Sequence, residues 1–174
     1  MSKFVIFGII VVVGIGGGIL LLTQGGTPGE QQEVTSQGAG RELADLTLID
    51  YEGNNVALTD FVGKPLVVNA WAVWCPFCVK ELSEFSLLQK EFPEVVVIAI
   101  DRAESLNTAK SYTDDIGITQ DLVFLLDPKD SFYKSIGGFS MPETLFVDKD
   151  GVIQDHKRGP MDLDEMKRRV EKIL

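Results

Sequence analysis

The hydrophobic pattern divides the chain into three. Phe4 to Leu22, FVIFGIIVVVGIGGGILLL, is 19 residues without a charge. At about 1.5 Å per helical residue it reaches roughly 28 Å, the hydrocarbon thickness of a bilayer. The pattern predicts one transmembrane helix over 4–22. A cleaved signal peptide is the alternative, but its apolar region is usually about 7–15 residues, and Thr23-Gln24-Gly25-Gly26 is a poor small-residue cleavage site. Residues 23–40 are rich in Gly, Gln, Ser and Thr, with Val34 the one branched apolar residue, and read as a flexible linker that buries no core. Residues 41–174 are long enough for one folded domain.

Within 41–174 the apolar positions change period several times. Leu46–Ile49 and Val56–Leu58 flank Glu52-Gly53-Asn54-Asn55 and predict a β-hairpin. Leu66–Ala72 is a nearly continuous apolar run, as in a central strand buried on both faces. Cys78, Leu82, Phe85, Leu88 and Phe92 recur at spacings of three and four, predicting a helix over 76–92. Val95–Ile100 predicts the next strand, and Leu106, Ala109, Tyr112 and Ile116 a second helix. A short strand over 122–126 and a short helix over 131–136 follow. Thr144–Val147 and Val152–Gln154 pair across Asp148-Lys149-Asp150-Gly151. Asp162, with Glu165 three residues on, resembles a capping box that opens a helix to Leu174. Strands alternating with helices and closing on a hairpin and a helix give an α/β fold with a sheet of mixed direction.

Charge adds orientation. Lys3 precedes the span and no Lys or Arg follows until Arg41, so residues 1–3 are expected in the cytoplasm and the rest outside it. The formal net charge is −10, and −11 for the chain beyond the span, which keeps all 26 acids. Such a chain lacks the basic face that nucleic acid requires. Two Cys and one His exclude a disulfide-dense scaffold and cannot close a four-ligand zinc site without carboxylates.

Both cysteines lie in Trp74-Cys75-Pro76-Phe77-Cys78, between a predicted strand and a predicted helix. Cys75 therefore sits at a helix N-terminus, where free N–H groups and the helix dipole favour a thiolate. Pro76 suits the first helical position, where its missing N–H is no loss. Cys78 lies about one turn on, within reach of a disulfide and more deeply placed. That asymmetry makes Cys75 the attacking or attacked sulfur and Cys78 the one that resolves a mixed disulfide. Two readings compete on spacing alone. Half a zinc site would lack a second pair, and His156 is the sole imidazole. A structural bridge closing so small a loop stabilises little. Val79 after Cys78 excludes c-type haem attachment.

The segment Val68–Glu81, VNAWAVWCPFCVKE, resembles the active-site segment of the thioredoxin superfamily, and more narrowly its membrane-tethered TlpA/ResA/DsbE branch. The resemblance extends over most of 43–174, through Gly63-Lys64-Pro65 before the strand and Met141-Pro142 before a later one. It implies a thioredoxin-like fold with an N-terminal β-hairpin and a central strand–helix insertion. It implies that Pro142 is cis, and that the Met141 backbone pairs with a client peptide as an added strand. Trp74, Pro76 and Phe77 would complete the client-binding surface. Glu81, one turn beyond Cys78, would modulate proton transfer at the cysteines. Asn69 stands where cytoplasmic thioredoxins bury an acid, which leaves Glu81 the better candidate.

Some positions depart from the branch. Glu143 follows Pro142 where a small hydroxyl residue is commoner, and a carboxylate beside Cys75 would oppose the thiolate or select basic clients. Phe77 is an uncommon choice between the cysteines; without a specific role it would be a hydrophobic lid. The pair between the cysteines lacks the His of strong oxidants, which leans the reading towards a reductant or isomerase. His156, between Asp155 and Lys157, reads as a surface residue. The basic run Lys167-Arg168-Arg169 reads as the solvated face of the last helix.

The expected activity is an extracytoplasmic, membrane-tethered thiol–disulfide oxidoreductase with protein clients, among them the haem-binding cysteines of apocytochrome c. It needs no cofactor or metal, and electrons would come from a transmembrane donor. A thiol peroxidase of the peroxiredoxin type is disfavoured, because Val68 and Ala72 occupy the Pro and Thr places of its motif. A non-catalytic peptide-binding module is the third reading, disfavoured by the retention of both cysteines.

Overall fold

The computed structural model of the chain describes residues 40–174. The predicted transmembrane helix and nearly all of the linker lie outside the described residues. Among those described, no helix is long and apolar enough to cross a membrane.

Seven strands form one sheet in the order β2-β1-β5-β4-β3-β6-β7. At its centre, β3 (Leu66–Trp71), β4 (Val96–Arg102) and β5 (Val123–Asp127) run parallel. Parallel neighbours need crossovers, supplied by α1 (Pro76–Glu91) and α2 (Leu106–Asp115). Successive right-handed crossovers that step across the sheet in one direction put both helices on one face. The hairpin of β1 (Thr47–Asp50) and β2 (Asn55–Ala57) adds antiparallel to β5. On the other side, β6 (Glu143–Val147) and β7 (Ile153–Arg158) add antiparallel to β3. Two strand–helix units, β4–α2 and β5–α3 (Ser131–Ser135), therefore separate α1 from Pro142, and α4 (Leu163–Val170) closes the domain.

The run read as strand β3 is buried along its whole length, and its alternate side chains enter different cores. Leu66, Val68 and Ala70 join Phe132 and Ile136 on the α3 face. Val67 joins Phe85, Phe146 and Met166 under α1 and α4, and Trp71 joins Cys75, Cys78 and Ala109.

Three elements differ from expectation. Leu58 leaves the hairpin for a 3-10 turn, Leu58–Phe61, and is fully buried there. The last helix ends at Val170 rather than Leu174. β7 runs to Arg158, well past Gln154, through charged residues that are satisfied by ion pairs: Lys157 with Glu165, and Asp155 with Arg169. Two of the three residues of the basic run of α4 are engaged, Arg169 as above and Lys167 with Glu91 at 2.5 Å, while Arg168 is exposed.

The domain is in place by Gly40. Gly40 N–H donates to the Ile153 carbonyl (2.7 Å), Leu43 N–H to that of Gly151 (2.8 Å), and Glu42 bridges Val152 antiparallel.

Candidate active site

β3 ends under the site, and the turn after it is tied at two points. Cys75 N–H donates to the Ala72 carbonyl (3.1 Å), and Val73 N–H to Glu104 Oε2 (2.7 Å). Cys75 is the N-cap of α1 and Pro76 its first residue. Cys75 Sγ accepts from Cys78 N–H at 3.2 Å, so the sulfur takes the place of a capping oxygen. The two cysteines form a disulfide with Cα atoms 5.2 Å apart. Cys75 is 3% exposed and Cys78 not at all. The predicted order of depth holds, with both cysteines buried and Cys75 the slightly less so.

Trp74 and Phe77 stand out at 61% and 58% exposed, while Trp71 is buried. From the other side of the site comes the loop before β6, with Phe139 at its tip, almost fully exposed. The Met141–Pro142 bond is cis. Met141 is half-buried against the cluster that holds Trp71 and both cysteines.

Glu81 is buried on α1, one turn beyond Cys78. Its Oε1 accepts from Met161 N–H at 2.7 Å, and Oε2 is buried with no hydrogen-bond partner among the described residues. Burial pushes its pKa up to about 8; the Met161 N–H pulls the other way, and Glu84 adds to the rise. Asn69, beneath the site, is neutral and bound to Thr144 Oγ1 (2.9 Å). Glu81 therefore changes charge near pH 8, one helical turn from Cys78.

Two expectations are corrected. Glu143 does not lie beside Cys75. It shares its strand parity with Leu145 and Val147, whose side chains pack on the α3 face, whereas the cysteines pack on the other. His156 is not at the surface. It sits opposite Leu145 in the β6–β7 register, its side chain fully buried, with Nε2 2.6 Å from Glu143 Oε2. Glu143 Oε1 accepts from Phe139 N–H (2.6 Å) and Ser140 N–H (2.7 Å), so this buried pair holds the loop that leads to Pro142. The same loop is held by Tyr133, whose hydroxyl donates to the Ser140 carbonyl at 2.7 Å.

A second acidic group escaped sequence reading. Asp101, at the end of β4, is fully buried and accepts from Glu104 N–H (3.0 Å). Burial, and then the Glu104 carboxyl beside it, push Asp101 up to about 8. The pair thus carries a proton next to the Val73 turn. Only the D-x-x-E spacing hints at it, and that spacing is common in helix-start loops. Among the described residues no cluster of His, Cys, Asp and Glu is arranged to hold a metal ion.

A mixed sheet that delivers a strand into a helix-capping cysteine, with the partner cysteine one turn on and a cis-proline nearby, is the architecture of the thioredoxin superfamily. The chain is a thiol–disulfide oxidoreductase of that superfamily. Residues 38–174 match the Redoxin family, and the chain belongs to it. It is 27% identical over 143 residues to the thiol-disulfide oxidoreductase ResA of Geobacillus thermodenitrificans, covering 81% of each chain. It is 37% identical over 103 residues to the thiol:disulfide interchange protein DsbE of Haemophilus influenzae, covering 59% of this chain and 54% of that one. Among solved structures it resembles MTB DsbF in its mixed oxidized and reduced forms, with TM-score 0.69 and 25% identity over 75% of this chain and 96% of that one. The chain is therefore of the ResA/DsbE type within the TlpA/ResA/DsbE branch.

Proposed function

We propose that this protein reduces disulfides of protein clients outside the cytoplasm, with Cys75 as nucleophile and Cys78 as resolving thiol. The observation that carries this is the buried Glu81 one turn beyond a helix-capping disulfide. In the dithiol form, the helix N-terminus favours the Cys75 thiolate, which attacks a client disulfide and joins one client sulfur as a mixed disulfide. The other client sulfur leaves as a thiolate. Glu81, as carboxylate, takes the Cys78 proton. The Cys78 thiolate attacks Cys75 Sγ, the second client sulfur leaves, and the Cys75–Cys78 disulfide re-forms. Two electrons pass to the client. A transmembrane dithiol donor restores them, since the exchange needs no cofactor.

Trp74, Pro76, Phe77 and the Met141–Pro142 segment form the client-docking surface, with the Met141 backbone pairing as an added strand. Phe4–Leu22 anchors the domain with the N-terminus in the cytoplasm, and residues 23–40 tether it. Apocytochrome c cysteines are the proposed client class. The names of the two relatives, a thiol-disulfide oxidoreductase and a thiol:disulfide interchange protein, support exchange chemistry of this kind.

The test is trapping in native membranes. Cys78→Ala should accumulate a mixed disulfide between Cys75 and its client, identified by mass spectrometry, and Cys75→Ser should trap nothing and lose insulin reduction. Reduction that survives Cys75→Ser would overturn the assignment.

A further inference from the structure

The peptide that joins Ala72 to Val73 is held at both ends. Its carbonyl, on Ala72, accepts from Cys75 N–H at 3.1 Å, and its N–H, on Val73, donates to Glu104 Oε2 at 2.7 Å. Glu104 comes from the loop after β4, and its own N–H donates to Asp101 Oδ1 at 3.0 Å. Asp101 is fully buried and stands opposite Trp71 in the β3–β4 register, so the two strand ends are tied through a single loop. That loop turns through Ala103 at φ +60°, a left-handed conformation that disfavours a side chain and persists where its surroundings fix it.

The carboxyls of Asp101 and Glu104 lie side by side. Asp101 Oδ2 is buried with no hydrogen-bond donor among the described residues, and the Glu104 carboxyl is its neighbour. Two carboxylates in contact repel, whereas one proton between them makes a strong hydrogen bond. Burial, and then Glu104, keep Asp101 protonated up to about pH 8. Asp101 thus donates through Oδ2 to Glu104, which leaves Glu104 as the carboxylate that accepts from Val73. A charged acceptor on the N–H of a peptide also strengthens its carbonyl as an acceptor, here for Cys75.

Resting on the thiol-exchange reading above, we propose that Asp101 and Glu104 are positioning residues for Cys75, acting through the Ala72–Val73 peptide. Cys75 Sγ must meet the client sulfur in line, and the Cys75 backbone is fixed on one side by α1 and on the other by this peptide. Without Glu104 the peptide is free to turn, and Cys75 N–H loses the acceptor that orients it.

The clamp has its own pH dependence. The titratable groups that face Asp101 are Glu104 on its own loop and Tyr51 in the β1–β2 turn. Asp114 of α2 lies near Tyr51 and is paired with Lys110 at 2.6 Å. Across Trp71, α1 brings the two cysteines, joined as a disulfide. Loss of the shared proton above about pH 8 leaves two facing carboxylates, and their repulsion drives Glu104 from Val73.

The test uses the full chain in detergent micelles. In the reduced form, single-turnover reduction of a peptide disulfide is followed against peptide concentration. Glu104→Ala should lower the maximal rate about tenfold, the effect of one charge-assisted hydrogen bond, with the half-saturating concentration unchanged. Glu104→Gln, which still offers an oxygen to Val73 N–H, should restore most of that rate. In the oxidised form, the Val73 amide is followed by 15N NMR. Its shift should move with a midpoint near pH 8 in wild type, and equally in Glu81→Gln, where the Glu81 titration is gone. It should stay flat through that range in Asp101→Asn, whose amide donates to Glu104 at every pH. A wild-type maximal rate in Glu104→Ala, or a Val73 shift that ignores pH or titrates alike in Asp101→Asn, would overturn the positioning role while leaving thiol exchange intact. Absence of peptide reduction by the wild type would overturn the oxidoreductase reading instead, and the Val73 titration would still decide the clamp.

Discussion

Ionising Glu81 takes a carboxylate out of water into a site where one backbone N–H is its hydrogen-bond partner. An unfolded glutamate ionises near pH 4.5, and the folded one near 8. Between those values the folded state holds a proton that the unfolded state has lost, so stability falls as pH rises through that window and levels off above it. Glu81→Gln keeps an oxygen for Met161 N–H and removes the titration. In the oxidised form it should match wild type below about pH 4.5 and exceed it, on the order of a few kcal/mol, above pH 8; urea denaturation across pH measures this. The same substitution should flatten the alkaline limb of the exchange rate. Glu104→Ala removes the acceptor of Val73 N–H, at a cost of about 1–3 kcal/mol, and should speed amide exchange at Val73 by about tenfold or more. The Cys75–Cys78 pair was legible in the sequence because both sulfurs lie within the first turn of one helix, whereas Glu81 on spacing alone reads as a solvated helix residue and stands out only through the resemblance. The Asp101–Glu104 pair and the Glu143–His156 pair were not legible. Each depends on strand register: His156 reads as exposed beside Asp155 and Lys157, and only the β6–β7 pairing turns it inward to Glu143.

Among the elements, the loop between α3 and β6 is tightly constrained at Gly138. Gly138 lies against Tyr133, and a Cβ there would meet the ring at 2.4 Å. That ring also carries the Arg102 guanidinium 3.4 Å from its centroid, and Arg102 is fixed by Asp130. Gly138→Ala must displace Tyr133 and break its bond to the Ser140 carbonyl. It should cost about 1–3 kcal/mol by denaturant titration and lower kcat/KM for protein disulfides more than for small aromatic disulfides, because the loop positions Met141 and Pro142 for a peptide. The period of apolar residues foretold β3, β4, α1 and α2 well, since each buries a face of its own. It failed at β7, where Asp155, Lys157 and Arg158 look like a loop, although their partners on β6 and α4 lie well away in sequence.

For the whole molecule, the proposed anchor and the exchange domain should be separable. A chain of residues 38–174 should be recovered in the soluble fraction with insulin reduction intact, and the full chain in the membrane fraction. Its potential should lie nearer thioredoxin's, about −270 mV, than that of DsbA, about −120 mV, as the Pro-Phe pair between the cysteines leads one to expect; glutathione titration measures it. The point of cutting matters, because Arg41–Leu43 lie along the segment that enters β7, at Gly151–Ile153. β7 is the last strand of the sheet, and unpaired backbone groups there are a template on which another chain can add a strand. The few residues that lead into the domain thus cover the start of that edge, at Ile153. A chain begun at residue 44 should keep its disulfide chemistry yet form dimers and larger aggregates by light scattering, while one begun at residue 38 stays monomeric.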